Sequence, residues 1–234
     1  MKAIILAGGN GSRLKRHNGE VNGLPKPMLK LGEMPLLELI IKQLAKHGFN
    51  DIIISTGYKS EVIEEYFKNK NIEGTKISFS KQEPLLGTVG PISIIPNLNE
   101  DFLVMHGDIL TDLDFSKLIN FHKQNKGILT LAVQQLRLPH IGIIRTENDL
   151  VKEYSERASK SYLDSMSIFV SKLEVLKYLK RGEFLDLDKF INLLAENNER
   201  VLAYKSEDFF MDIEHDRDYE KAKEMFLINK EKFL

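Results

Sequence analysis

Short apolar runs recur along this chain, and between them apolar residues repeat at helical spacing. Lys2–Leu6 is the first run and stops at Gly8-Gly9, which predicts a buried strand opening into a loop. Positions 36, 37, 40, 41 and 44 are apolar and form one helical stripe, with Gly48 as its C-terminal stop. A second strand is expected at Ile52–Ile54, a helix over Glu61–Lys68 and a third strand at Lys76–Ser80. Phe102–Met105, a helix over Phe115–Gln124 and the run Ile128–Val133 continue the alternation. Beyond residue 136 the alternation loosens. Strands are expected at Ile141–Arg145, Leu150–Tyr154, Ser161–Val170 and Val201–Lys205, and helices over Lys172–Leu179, Leu187–Asn197 and Asp216–Phe226. Most strands are continuous apolar runs, so both their faces must be covered. The expected fold is α/β, a mostly parallel sheet between helical layers. No repeat, low-complexity tract or linker interrupts the chain, so residues 1–234 are expected to form a single domain.

Composition narrows the function classes. The 234 residues are ample for a buried core. Thirty-three Lys and Arg stand against 34 Asp and Glu, a net charge of -1, and a nucleic-acid binder needs a basic surface instead. With no Cys there is no thiol nucleophile, disulfide or thiolate metal site, which suits the cytoplasm. The opening apolar run is too short for a signal peptide, and no segment approaches a membrane span. A cytoplasmic protein with neither membrane nor nucleic acid as partner is therefore expected, its chemistry carried by oxygen and nitrogen groups.

Residues 8 to 27 hold five Gly and two Pro, a long loop of the kind that is usually functional. Ala7-Gly8-Gly9-Asn10-Gly11-Ser12-Arg13-Leu14 could bring backbone N–H groups close to a polyphosphate beside a neutralising Arg. It lacks the Gly-Lys-Ser/Thr of a Walker loop, and Leu14 occupies the third glycine position of a dinucleotide fingerprint. A tight strand-to-helix turn explains this segment equally well. Leu24-Pro25-Lys26-Pro27 adds one Lys whose backbone is pinned on both sides by proline.

The two segments together resemble the signature of the sugar-1-phosphate nucleotidylyltransferases, or sugar nucleotide pyrophosphorylases. Further matches follow in order over most of the chain: Gln82-Glu83-Pro84-Leu85-Leu86-Gly87-Thr88 resembles the base-reading segment, and Gly107-Asp108 the metal-binding strand end. Glu153-Tyr154-Ser155-Glu156-Arg157 resembles the sugar-site Glu-Phe-x-Glu-Lys, and Asp212-Ile213 the late Asp-Ile-Gly. The family joins an NTP to a sugar 1-phosphate, giving an NDP-sugar and pyrophosphate by in-line attack at the α-phosphorus. That chemistry asks for positioning and charge neutralisation rather than a protein nucleophile.

The resemblance implies a Rossmann-like fold of the nucleotide-diphospho-sugar transferase type, with residues 1–135 binding nucleotide and 136–234 binding sugar phosphate. Leu6, Ala7, Gly8, Gly9, Gly11, Ser12, Arg13, Lys26, Gln82, Gly87 and Thr88 would hold the nucleotide. Arg13 would clamp the outer phosphates, and Lys26 would neutralise the α-phosphate and the incoming sugar phosphate. Asp108 and Asp212 would be the Mg²⁺ ligands, so Arg13, Lys26 and Asp108 would carry the chemistry. Gly142, Glu156, Arg157 and Ser165, with Glu153 nearby, would form the sugar-phosphate side. The short chain resembles compact mannose- or heptose-1-phosphate guanylyltransferases, which favours GTP. Departures are Lys15 for the usual Pro, Asp164-Ser165-Met166-Ser167 for Asn-Ala-Gly, Glu214 for Gly, and the unusual His106, which reads as a packing or hydrogen-bonding residue. They leave the sugar open, and with it an alternative enzyme, a cytidylyltransferase using CTP and phosphocholine. Assembly as a homo-oligomer is compatible with either reading.

Overall fold

The computed structural model describes residues 1–11, 24–72, 74–136, 143–155 and 162–234. The first half runs β1 (Lys2–Ala7), a 3₁₀ turn at Lys26–Met28, the short hairpin β2 (Lys30–Leu31) and β3 (Met34–Pro35), and α1 (Leu36–Lys46). It continues with β4 (Asp51–Thr56), α2 (Ser60–Lys68), β5 (Lys76–Lys81), a 3₁₀ turn at Gly90–Ile94, β6 (Phe102–His106), β7 (Ile109–Thr111) and α3 (Phe115–Asn125). The second half holds β8 (Leu129–Gln135), β9 (Ile143–Glu147), β10 (Leu150–Ser155), β11 (Leu163–Ser171) and a 3₁₀ segment at Leu173–Tyr178. It ends with α4 (Leu187–Glu196), β12 (Val201–Lys205), β13 (Phe210–Asp212), α5 (Asp216–Ile228) and α6 (Lys230–Phe233).

Seven strands form one sheet in the order β12-β8-β11-β6-β1-β4-β5. Four of its six pairings are parallel, and β11 enters antiparallel between β6 and β8. The continuous apolar runs have the reason the sequence suggested. Successive residues of β1 enter opposite cores: Ala3, Ile5 and Ala7 face α1, α2, α3 and α5, while Ile4 faces α4 and the 3₁₀ segments. Leu36, Leu37, Leu39, Ile40, Ile41 and Leu44 of α1 are all fully buried, and each such side chain contributes roughly 1.5–3 kcal/mol against exposure. The result is the mostly parallel, helix-covered, Rossmann-like sheet.

One expectation needs correction. The helix expected over 172–179 is a 3₁₀ segment. It is too short to repay the nucleation of an α-helix, and its leading N–H, that of Leu173, is taken by Asp101 Oδ1 at 3.0 Å. The strand expected from 141 is observed from Ile143, and 141–142 lie outside the described residues. The hairpin β9–β10 forms its own two-stranded sheet apart from the main one. Strands β7 and β13, three residues each, were not anticipated, and they pair with each other.

Candidate active site

The parallel strands β1, β4 and β6 end together, and the loops that leave them build the site, as is usual at the carboxyl ends of such sheets. After β1 the chain turns through Gly8. Tyr58 N, following β4, donates to Gly8 O at 3.1 Å. The approach is so close that a Cβ on Gly57 would stand 2.7 Å from that oxygen, and one on Gly8 would stand 2.2 Å from Gln82 Nε2. Glycine is therefore required at 57, where backbone meets backbone, and a side chain at 8 would displace the buried Gln82 amide. Gln82 Oε1 accepts from Leu86 N at 3.0 Å, which holds the amide in one orientation. Beside this contact lies a cavity of about 330 Å³, lined by Asn10, Gly57, Tyr58, Gln82, Pro84 and Leu85 among others.

The segment after Gln82 is tied to α4. Gly87 has φ +81°, and a Cβ there would meet Leu185 O at 2.6 Å. Thr88 N donates to Asp186 Oδ1 at 3.2 Å, and Leu187 N donates to Thr88 Oγ1 at 2.8 Å. Asp186 was not anticipated from the sequence, and its partner lies 98 positions away.

Lys26 opens the 3₁₀ turn between its two prolines, and its Nζ stands 3.4 Å from Asp108 Oδ2. Both side chains are largely buried, 13% and 23% exposed. A Cβ on Gly11 would stand 3.0 Å from Lys26 Cγ, so the glycine loop returns against the Lys26 stem. Asp108 sits in the turn joining β6 to β7, and Gly107 N donates to Leu6 O at 2.9 Å, which fixes that turn against β1. β13 pairs antiparallel with β7, Asp212 opposite Ile109, and Ile213 N donates to Asp108 O at 3.0 Å. Two aspartates 104 positions apart in sequence are thereby neighbours (108 and 212). Asp212 does not cap α5; His215 does, with Asp218 completing a capping box. Among the described residues no group of three or more His, Asp or Glu side chains is arranged to hold a metal ion. The two carboxylates are what the site offers.

His106 precedes this turn. Burial holds its imidazole below the usual range, with Asp108 raising and Lys26 lowering it further. Ser165 lies on β11, exposed, and its Oγ accepts from Ser167 N at 3.2 Å. Glu153 is on the exposed hairpin and pairs with Arg145 at 3.3 Å, so its carboxylate is engaged at the surface. The structure thus brings Leu6, Ala7, Gly8, Gly11, Lys26, Gln82, Asp108 and Asp212 to one end of the sheet, with exposed Gly9 on the same loop and Gly87 and Thr88 bound to α4. Ser12, Arg13, Gly142, Glu156 and Arg157 lie outside the described residues.

Known proteins resemble this chain along most of its length. The family model described as nucleotidyl transferase matches residues 2–227. The chain belongs to that family. A D-glycero-alpha-D-manno-heptose 1-phosphate guanylyltransferase of Campylobacter jejuni is 34% identical over 98% of this chain and 100% of its own. The enzyme of the same name from Aneurinibacillus thermoaerophilus is 32% identical over 95% and 96%. The crystal structure of HddC from Yersinia pseudotuberculosis superimposes with a TM-score of 0.74 at 25% identity, covering 96% of this chain and 99% of that one. Nucleotidyl transfer needs no protein nucleophile, and the described site offers none. It offers a cation, two carboxylates and closely packed backbone. Among the described residues no helix is long and apolar enough to cross a membrane.

Proposed function

We propose that this chain transfers a guanylyl group from GTP to a sugar 1-phosphate, forming a GDP-sugar and releasing pyrophosphate. The observation that carries this reading is the meeting of Lys26, Asp108 and Asp212 beside the glycine loop, in a chain that matches guanylyltransferases end to end. Those relatives make a heptose 1-phosphate the first acceptor to try, and the sequence resemblance to compact mannose-1-phosphate guanylyltransferases makes mannose 1-phosphate the second. A phosphate oxygen of the acceptor attacks the α-phosphorus. The bond from that phosphorus to the bridging oxygen breaks, and its electron pair leaves with pyrophosphate. Lys26 neutralises charge on the α-phosphate and the acceptor phosphate. Arg13 clamps the outer phosphates. The backbone of Gly8, Gly9 and Gly11, with Ser12, cradles the nucleotide, while Gln82, Gly87 and Thr88 flank the base.

Mg²⁺ fits the donor set. It prefers oxygen ligands, retains several waters and is commonly held by one or two carboxylates together with phosphates. Asp108 and Asp212 would hold it, and when bound it neutralises charge on the transferring phosphate. Residues 1–135 serve mainly the nucleotide and 136–234 the sugar phosphate, with Gly142, Glu156, Arg157 and Ser165 on the sugar side. The exchange between halves, Asp212 to the metal site and Asp186 to Thr88, supports one cooperative unit. The cytidylyltransferase alternative draws no support from these two relatives. A pyrophosphate-release screen of GTP, ATP, UTP, CTP and dTTP against sugar 1-phosphates and phosphocholine tests the proposal. GTP with a heptose or mannose 1-phosphate should give the highest kcat/KM. Turnover of phosphocholine with CTP, and of no sugar 1-phosphate, would sink it.

A further inference from the structure

Asp108 and Asp212 hang on one small ribbon. Asp108 leads into β7, Asp212 ends β13, and the two strands pair over three residues each. Ile213 N donates to Asp108 O at 3.0 Å and closes the ribbon at the carboxylate end. A two-stranded ribbon of this length is marginal on its own. It also carries two neighbouring carboxylates, and like charges repel each other unless a cation offsets them. Lys26, 3.4 Å from Asp108, offsets one charge of the two.

The other end of the ribbon is held by side chains. Phe209, the residue before β13, is gripped through both of its backbone groups. Its N–H donates to Asp112 Oδ1 at 2.6 Å, and its carbonyl accepts from Thr111 Oγ1 at 2.6 Å and from Asp112 N at 3.3 Å. The buried Thr111 hydroxyl also accepts from Leu113 N at 3.1 Å, so it both donates and accepts. Behind it, Gln43 Nε2 on α1 donates to Thr111 O at 2.7 Å and ties β7 to a helix whose apolar stripe is fully buried. The Phe209 ring stands edge-on to Phe233 of α6, with centroids 5.7 Å apart. Phe209 is thus fixed at its N–H, its carbonyl and its ring. Asp212 lies three residues further along an extended strand. Its place beside Asp108 is set by this clamp at one end and by the Ile213 bond at the other.

Asp112 is itself a carboxylate near the site, and a third metal ligand is the competing reading of it. The geometry argues against that reading. Its Oδ1 is engaged by Phe209 N, at the end of the ribbon away from Asp108 and Asp212. A charged acceptor makes such a bond strong. Groups that orient metal ligands by hydrogen bonding commonly govern metal affinity by roughly ten- to a hundredfold.

We propose that Thr111 and Asp112 are positioning residues for the metal site, clamping Phe209 so that β13 presents Asp212 beside Asp108 in advance of metal binding. This rests on the Mg²⁺ assignment made above. The test is calorimetric titration of the full chain with Mn²⁺ as the probe cation, for wild type, Asp112→Ala, Asp112→Asn, Thr111→Val and Thr111→Ser. Asp112 is half-buried, so removing its side chain leaves the core intact. In Asp112→Ala the Mn²⁺ Kd should rise about tenfold or more, with the metal-free GTP Kd within about twofold of wild type. Asp112→Asn keeps an oxygen that accepts from Phe209 N, and its Mn²⁺ Kd should stay within about threefold of wild type. Thr111→Val should raise the Mn²⁺ Kd about three- to tenfold, and Thr111→Ser should restore it. The Mg²⁺ concentration that half-saturates kcat should follow the same order. A merely structural role would lower the urea midpoint and leave the Mn²⁺ Kd where it was. Wild-type Mn²⁺ affinity in both Asp112→Ala and Thr111→Val overturns the proposal. So does Asp112→Asn binding Mn²⁺ as weakly as Asp112→Ala, which is the mark of a direct ligand. A wild type that does not bind Mn²⁺ overturns the metal assignment and this inference with it, whereas one that binds Mn²⁺ but transfers no guanylyl group overturns the reaction reading alone.

Discussion

Alanine at position 57 would put a methyl carbon 2.7 Å from Gly8 O, 3.0 Å from Gly8 Cα and 3.1 Å from Leu85 Cδ2. Ordinary contacts begin near 3.4 Å, so the two chain segments must part by more than half an ångström. Neither can withdraw freely. Gly8 follows β1 and Gly57 follows β4, and those strands are paired up to Ala7 opposite Thr56. Overpacking of this kind costs about 1–3 kcal/mol. Losing the Tyr58 N to Gly8 O bond adds about 1 kcal/mol. Alanine returns roughly 0.5–1 kcal/mol by restricting the unfolded chain. The net expectation for Gly57→Ala is destabilisation by about 2 kcal/mol. Gly9→Ala is the control, because Gly9 is exposed and a Cβ there meets nothing within 4 Å. It should stay within about 0.5 kcal/mol of wild type. Equilibrium urea unfolding measures both. GTP KM, read in parallel, should rise roughly tenfold or more for Gly57→Ala, since small misplacements of a binding loop are costly. If Gly57→Ala unfolds with the same free energy as Gly9→Ala and keeps the wild-type GTP KM, the close-approach argument is wrong.

Three further outcomes are expected. Asp108→Asn and Asp212→Asn should each keep the native circular dichroism spectrum yet lose about 10²-fold or more in kcat, because a carboxylate that offsets the metal is gone; turnover within a few-fold of wild type in both would count against the metal assignment. Arg13→Ala should weaken GTP binding by about 2–5 kcal/mol by calorimetry, the usual cost of removing one partner of a hydrogen-bonded charge pair, and an unchanged affinity with unchanged kcat would exclude the phosphate clamp. Burial of Glu38 opposes its ionisation, but Lys42, Lys70 and Tyr66 outweigh it and bring the carboxyl down from 4.5 to about 2. A carboxyl lower in the folded state stabilises above its unfolded value and loses that contribution as pH falls from about 4.5 to about 2. The lysines are 38% exposed, so solvent screening reduces the contribution to about 1–2 kcal/mol. Glu38→Gln should be less stable than wild type by that amount at pH 7, with the gap closing towards pH 2, and a gap that does not vary with pH would contradict this account.

What the sequence by itself determined is what repeats locally. β12 spans Val201–Lys205 as the apolar run indicates, and α1 follows its stripe from Leu36 to Lys46. Short apolar runs alternating with helical stripes fit strands covered on both sides, so the layered α/β class was legible before any coordinate. The motif order also named Lys26, Asp108 and Asp212 through their resemblance to a family. Only the tertiary structure decided which of these groups meet. β7 and β13 are three residues each, too short for any periodicity to register, and they exist because each completes the other's hydrogen bonds. That pairing alone puts Asp212 beside Asp108. Gly57 looks like any glycine after a strand until Gly8 O is found against it, and Asp186 acquires its role from Thr88, 98 positions away. Ser167 departs from the backbone its residue type prefers, because the strands flanking β11 hold it there. Local periodicity is set by covalent geometry and is written along the chain, whereas contacts between distant segments form only when the core closes and brings their backbones within hydrogen-bonding distance.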